Sequence, residues 1–356
     1  MPIDWFESIS KTPSPWLPAL ESTAPQILLS TSVTVARNIH GLAFPPFHGK
    51  IEDASEAQLL AFHALKNLPV FMNAAVYNTK ELTPSQKRLL VRRGLASEEF
   101  LAAADYRAIL ITPDESAIAR INDQNHIEIL LQRKGNCPRQ LVGHAMSLMK
   151  QLDDSLDFAK DPVFGYLCTN FDQIGNGMFI QLHTHLPAIV LHGYGANAVS
   201  AAEELHLQIE NDQMAQQKHD ALIFKLHTRM ATSPNPAVTA MRMDDFAKRL
   251  ENHELDARRN LREGPYKASL LDFFGRAKGL VTYAYRLTAS EVRRILSACW
   301  LAAEMGVIPE EARNIAIKLF DTFDETEMKH DEANGTIESG EERAVFLRDV
   351  LGQYMK

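Results

Sequence analysis

The chain has 356 residues, 46% hydrophobic and 23% charged, with a formal net charge of −8. This is globular composition, long enough for one large domain or two medium ones, and its acidic balance argues against a nucleic-acid groove or a polybasic membrane surface. Three scattered cysteines, Cys137, Cys168 and Cys299, with no CxxC spacing, suggest neither a disulfide framework nor a cysteine zinc site. The opening MPIDWFESIS lacks the basic-then-apolar pattern of a signal peptide. No apolar run reaches the roughly 18–20 residues of a membrane helix, so a cytoplasmic protein is expected.

The first 26 residues, with five of the 17 prolines and two of the three tryptophans, read as an extended arm packed on the body. The β-branched run Ile27 to Val35 predicts a strand. Ser55 to Leu68 has helical spacing and stops at Pro69. In Leu82-Thr83-Pro84-Ser85 a cap and a first-turn proline start a helix that should end near Arg93, before Gly94. Tyr106 to Ile111, Ala117 to Asn122 and His126 to Gln132 alternate as strands. The polar run Asn122-Asp123-Gln124-Asn125-His126 therefore sits at a strand–turn–strand junction. Residues of that kind suit both a plain turn and a catalytic strand end.

Leu141 to Phe158 predicts an amphipathic helix, and a glycine-bearing loop leads into a strand over Met178 to His185. Asp244 to Leu261, Leu280 to Arg286, Ser290 to Gly306 and Pro309 to Phe320 read as helices. Asp321 to Glu342 reads as an acidic loop before a last helix, Glu342 to Tyr354. The fold class is α+β: an antiparallel sheet flanked by helices over residues 1–243, then a helical domain over 244–356.

In order and spacing these motifs resemble the ATP:guanido phosphotransferases, and within them the bacterial protein-arginine kinases. Ser30-Thr31-Ser32-Val33-Thr34-Val35-Ala36-Arg37-Asn38 falls on the family's S-S-R-x-R-x-A-R-N. LTPSQKRLLVRRGLASEEF resembles the bacterial linker helix and following loop. Asn122 to Glu128 falls on N-E-E-D-H-L-R, and Phe164 to Pro187 on F-G-Y-L…G-T-G…H-L-P. LLDFFGRAKGLVTYAYRLTASEVRRILSACWLAAEMGVI follows the bacterial helical part. The resemblance implies a guanido-kinase, glutamine-synthetase-like catalytic domain followed by a dimerisation domain.

It also implies a chemistry. Arginines neutralise the ATP phosphates through charge-assisted hydrogen bonds, carboxylates hold and deprotonate the guanidinium, and a cysteine helps orient it. At the matching positions this chain has Ser32, Thr34, Glu128, Phe179 and Glu210 in place of arginines, Gln124 and Ala215 in place of glutamates, and Asn170 in place of the cysteine. Five lost charged hydrogen bonds, at roughly 1.5–3 kcal/mol each, forfeit on the order of 8–15 kcal/mol. Residues matched as fold-bearing are kept: Arg37, Asn38, Asn122, His126, Phe164-Gly165-Tyr166, Gly175, Gly177, His185-Leu186-Pro187 and Arg276.

The resulting expectation is a pseudokinase that acts by protein binding. It would need no cofactor and no metal, and would be a homodimer, a partner of an active protein-arginine kinase or of protease-system proteins. One alternative is an active phosphotransferase, using Mg-ATP, whose site is rebuilt from Arg107, Arg120, Lys225 or Arg229. Another is a binder of cationic ligands at Gln124, Glu128 and Glu210, weighed against a relaxed relic of the old site. His126, Gly175, Gly177 and His183 are candidates for retained nucleotide contacts. Against this, the glycines suit a tight turn and His183 a plain sheet residue. His183 and His185 share a strand face and could pair on a metal. Asp321 to Asp331 is acidic but lacks calcium-loop order. Arg343, with Ser339 where the kinases have a first arginine, keeps half of a phosphoarginine-reading motif.

Overall fold

The computed structural model describes residues 5–9, 14–18, 20, 25–102, 105–210, 222–229, 235–322 and 338–355. In chain order the elements are α1 (Trp5–Ile9), β1 (Leu28–Arg37), α2 (Ile51–Lys66), β2 (Ala75–Asn78), α3 (Pro84–Arg92), α4 (Glu98–Leu101), β3 (Ala108–Ile111), β4 (Ala117–Ile121), β5 (Ile127–Lys134) and α5 (Pro138–Asp153). There follow β6 (Lys160–Asp161), β7 (Gly165–Tyr166), β8 (Met178–His185), α6 (Pro187–Leu191), α7 (Gly195–Glu204), β9 (Leu207–Glu210) and β10 (Ile223–Thr228). The rest is helical: α8 (Pro236–Glu263), α9 (Lys267–Tyr283), α10 (Ala289–Glu304), α11 (Glu311–Thr322) and α12 (Glu338–Leu351).

Eight strands form one sheet in the order β2-β3-β4-β5-β1-β8-β10-β9, antiparallel throughout. Period-2 alternation gives the central strands two different faces. Val33, Val35, Ile129, Ile180 and Leu182 point into the main core, where Leu141, Val142 and Ala145 of α5 and Met243, Ala247 and Leu250 of α8 meet them. The other face is covered at the β2–β4 end by α1, α3 and α4, around Trp5, Phe6, Leu90, Phe100, Ile109 and Ile118. Near the end of β8 the ring of His185 stacks on Trp300 of α10 at 4.2 Å. Between these two covers the sheet face is open, and this gap is the cleft described below.

Capping follows the sequence. Thr83 and Gln86 close a capping box on α3 with Pro84 in its first turn, and Gly94 leaves that helix at φ +69°. Several boundaries differ from the sequence reading. The N-terminal arm is not wholly extended, because Trp5–Ile9 is helical and packs Phe6 on Tyr77 at 4.9 Å. α5 stops at Asp153 rather than Phe158. Residues 157–159 instead pair with 38–40 as extended backbone, through His40 N to Asp157 O and Ala159 N to Asn38 O. α9 ends at Tyr283 rather than running to Arg286, and Leu287 N donates to Gly340 O. The long helix begins at Pro236, capped by the Asn235 side chain on Ala237 N. It runs unbroken through residues 243 and 244, where Asp244 is buried and accepts from Asn136 and Arg139 beside α5. Among the described residues no helix is long and apolar enough to cross a membrane.

A buried ionic chain joins the sheet side to the helical layer. Glu254 of α8, fully buried, accepts from the backbone N–H groups of Ala188 (3.0 Å) and Ile189 (2.9 Å) in α6 and from Arg258 Nε at 2.8 Å. Arg258 continues to Glu304 of α10. Glu304 also receives Trp300 Nε1 at 2.8 Å and Arg313 Nε of α11 at 3.1 Å. Removing one member of such a chain leaves its partner charged and half-satisfied in a dry interior. Glu254→Ala is therefore expected to cost about 3–5 kcal/mol in urea unfolding, and Glu254→Gln less. A loss under about 1 kcal/mol, the range of a surface pair, would show that the chain is not a stability element.

Candidate functional site

The cleft floor is built from the cleft-facing residues of β1, β5 and β8. Backbone register sets Thr34 between Leu130 and Phe179, and Ser32 between Gln132 and Gln181. Its upper part is a cavity of about 490 Å³. The walls come from distant segments: Trp16 in the arm, Arg92 to Gly94 after α3, Arg293 of α10 and Phe320 of α11. The lower part, about 370 Å³, lies against the β4–β5 turn and includes Arg120, Asp123, Gln124 and Glu128.

Glu128 and Arg120 are direct partners across β4 and β5, and their side chains meet, Arg120 Nη2 to Glu128 Oε2 at 2.9 Å. Arg120 Nε also reaches Asp123 Oδ2 at 2.7 Å, and Nη1 the Leu95 carbonyl at 3.1 Å. Burial works against the charge on Arg120, yet the two carboxylates together hold its pKa above the ordinary value. Burial, with the neighbouring Glu128 carboxylate, pushes Asp123 up to about 6 despite Arg120. The second oxygen of Glu128 accepts from Asn125 Nδ2 at 2.9 Å. A single guanidinium supplied from inside the protein thus lies between two carboxylates, Asp123 and Glu128, that line the lower cavity.

Gln124, where the resemblance places a substrate-holding acid, accepts from Asn170 Nδ2 at 2.5 Å. Asn170 stands where the resemblance places a cysteine. The two amides bind each other, and an amide has no basic lone pair with which to take a proton from a guanidinium.

The loop before β8 is held by geometry. Gly177 has φ +70°, and a Cβ there would meet Arg37 Nη1 at 2.2 Å and Ala36 O at 2.7 Å. Gly175 has φ +119°, and its carbonyl lies 2.6 Å from where a Cβ on Gly165 would stand. Arg37 itself is buried, donates to Ala36 O and Asn176 O, and lies over the Tyr166 ring at 3.5 Å. The glycines are required for this close approach.

His126 accepts from Ile39 N on Nδ1 (3.0 Å), so Nε2 carries the proton and donates to Ala43 O (2.9 Å). Burial keeps the ring neutral, and both nitrogens are occupied by backbone. Asn122, at φ +58°, donates to the Ala54 and Tyr106 carbonyls, and Asn38 donates to Asn125 Oδ1. His183 does line the cleft. Its ring faces Trp16 at 5.6 Å and meets Ser30 Oγ at 3.1 Å, and burial with nearby Lys225 lowers it to about 3. His185 leaves the cleft to bond Ser297 Oγ at 2.8 Å. Among the described residues no group of three or more His, Cys, Asp or Glu is arranged for a metal.

Of the four cations considered for a rebuilt site, Arg120 and Lys225 line the cleft. Arg107 is engaged with the carbonyls of Asn122, Glu99 and Phe100, and Arg229 lies exposed just beyond β10. Arg92 and Arg293 also line it, and the sequence reading missed both. Each is a charged residue on a helix far in sequence from the central strands, and only the packing of α3 and α10 over the sheet brings them there. Glu210 pairs with Lys225 in backbone register. Ala215 and residues 323–331 of the acidic stretch lie outside the described residues. Arg343 is buried and donates Nε to Leu287 O at 2.9 Å. Two residues expected to bear the fold do not. Phe164 is 64% exposed, and Arg276 is an exposed partner of Asp272 on α9.

The sequence pattern of the ATP:guanido phosphotransferase C-terminal catalytic domain matches residues 57–254, more than half of the chain. The protein-arginine kinase of Symbiobacterium thermophilum is 26% identical over 313 residues, covering 86% of this chain and 87% of that protein. That of Pelotomaculum thermopropionicum is 25% identical over 355 residues, covering 97% and 95%. Two solved structures share the fold. A lombricine kinase has a TM-score of 0.54 at 18% identity, over 69% of this chain and 72% of that one. The duplicated taurocyamine kinase of Schistosoma mansoni has 0.59 at 16%, over 76% and 40%.

Gly177→Ala is expected to destabilise by more than about 1 kcal/mol, through strain at positive φ and displacement of Arg37. Chemical denaturation checks this, and a neutral result removes the close-approach argument. Asp123 gives a pH test. The folded state keeps its proton to about pH 6, whereas the unfolded chain releases it near 3.8. Stability should therefore fall as pH rises across that window and be level in this term above it. Asp123→Asn lacks the term, so its stability relative to the parent should rise by roughly 1–3 kcal/mol between pH 4 and 6.5. Parallel pH profiles would contradict it.

Proposed function

The chain belongs to the ATP:guanido phosphotransferase family, and on that premise we propose that it is a homologue of the protein-arginine kinases that acts by binding and not by phosphoryl transfer. The observation that carries this reading is the Asp123–Arg120–Glu128 cluster. Where the resemblance implies an arginine facing phosphate, an acid stands, and the arginine beside it is neutralised by two carboxylates. Phosphoryl transfer between ATP and a guanidinium needs net positive charge at the transferring group and a base at the acceptor. Ser32, Thr34 and Phe179 supply no charge on the floor, and Gln124 supplies no base. Mg-ATP therefore does not fit the strand-borne lining, and no catalytic step is assigned to these residues.

On this reading the protein works in the cytoplasm as a homodimer, or as a partner of an active protein-arginine kinase or of an ATP-dependent protease system, for which its relatives supply the motive. A cationic ligand at the acidic lower cavity would have to displace Arg120 from its two carboxylates, so that alternative is less favoured.

One observation favours a second reading. Arg92, Lys225 and Arg293 stand on the walls of the upper cavity, and a phosphotransferase with a rebuilt site would draw its positive charge from them. Purified protein with Mg-ATP and arginine-rich protein substrates separates the two. The binding reading expects phosphoarginine formation at less than about 10⁻⁴ of an active relative's rate, since each lost electrostatic donor costs about 10²–10³. Robust transfer that Lys225→Ala and Arg293→Ala abolish establishes the second reading and ends the first.

A further inference from the structure

A larger cavity, about 650 Å³, lies away from the cleft and shares no lining residue with it. It opens between the α6–α7 segment and the long helix α8. Its floor is apolar: Ile189, Ala198 and Ala201 face Phe246, Leu250 and Ala257. The last three recur at positions 246, 250 and 257, one face of a continuous helix. Size and lining are those of a small-molecule site, an apolar floor with a few polar groups at its edge.

Three features of that edge specify a ligand. First, His192 forms part of the wall, and both of its ring nitrogens are shielded from water, so the ring lines the cavity through its carbon surface. Burial lowers the ring's pKa, so it adds a neutral aromatic surface to the wall. Second, aromatic rings surround it: Tyr266 lies against His192 at 4.1 Å and Tyr194, another lining residue, meets it edge-on at 5.8 Å. Third, the edge holds charges of both signs. Arg249 and Glu204 line the same cavity and neither takes part in an ion pair among the described residues. By contrast, Asp256 is already held by Arg259. Glu204 is the last residue of α7, where the negative helix end disfavours a carboxylate and a ligand cation would relieve it.

We propose that this cavity binds an aromatic α-amino acid. The ammonium faces Glu204, the carboxylate faces Arg249, and the ring lies on the apolar floor beside the rings of His192 and Tyr194. The site does not depend on the functional reading of the cleft. It gives the protein a ligand even where the cleft holds none.

The test uses the full chain and calorimetric titration with L-tyrosine and L-tryptophan. Saturable binding with Kd below about 1 mM is expected for at least one of them. Tyramine, lacking the carboxylate, and 3-(4-hydroxyphenyl)propionate, lacking the ammonium, should each bind at least about tenfold more weakly than L-tyrosine. Arg249→Ala should weaken L-tyrosine about tenfold while leaving tyramine unchanged, and Glu204→Gln should weaken L-tyrosine similarly while leaving the propionate unchanged. Ala201→Trp should fill the floor and abolish binding of all four. Because that variant could misfold, the two charge variants at exposed positions carry the test independently. No saturable binding of either amino acid, or binding that ignores both charge variants, overturns the proposal.

Discussion

The structure depends on one run of buried charge. Glu254, Arg258, Glu304 and Arg313 are almost wholly removed from water, and each is paired on more than one side. Burial raises the pKa of Glu254, while Arg258 and the two α6 amides favour its charged form. A carboxylate in such a position is tolerated only if all its neighbours stay in place. The run therefore fixes the start of α6 against α8, and α8 against α10 and α11. The His185–Trp300 stack joins the end of β8 to the same helices. Since α10 carries Arg293 and α11 carries Phe320, this ionic interior also sets where the outer wall of the cleft stands.

At the other side of the cleft stands a second charge arrangement, the Asp123–Arg120–Glu128 cluster. Two acids and one arginine hold each other across neighbouring strands, so the arginine's charge is outweighed with no ligand present. A site built to receive phosphate has the opposite character, with unsatisfied positive charge awaiting the anion. Membership of the family carries the fold, whereas the site decides the activity. Here the sheet, the turn and the glycine loop surround a lining whose acids and arginine pair with one another.

Many motif residues that the chain shares with the phosphotransferases have plain structural employment. Asn38, Asn122 and His126 hydrogen-bond the backbone and one another beneath the β4–β5 turn. Arg37 and Gly177 interlock at the entry to β8, where no side chain would fit. These contacts involve groups inside the domain, so they remain useful whatever happens at the phosphate positions.

Local periodicity and capping determined a good deal. β1, β8 and α3 lie within two or three residues of where alternation, Pro84 and Gly94 put them, because strand facing and helix starts depend on nearest neighbours. Ser32, Thr34, Glu128 and Phe179 likewise come to one side of the sheet, since register transfers sequence position directly to a sheet face. Tertiary structure decided the rest. The helical turn in the N-terminal arm, the early end of α5 and the unbroken passage of α8 through residue 244 come from packing partners distant in sequence. So do the pairing of Glu128 with Arg120 and the arrival of Arg92 and Arg293 on the cleft walls. Charge acts through space over a few ångströms, and only the folded chain sets which charges come that close.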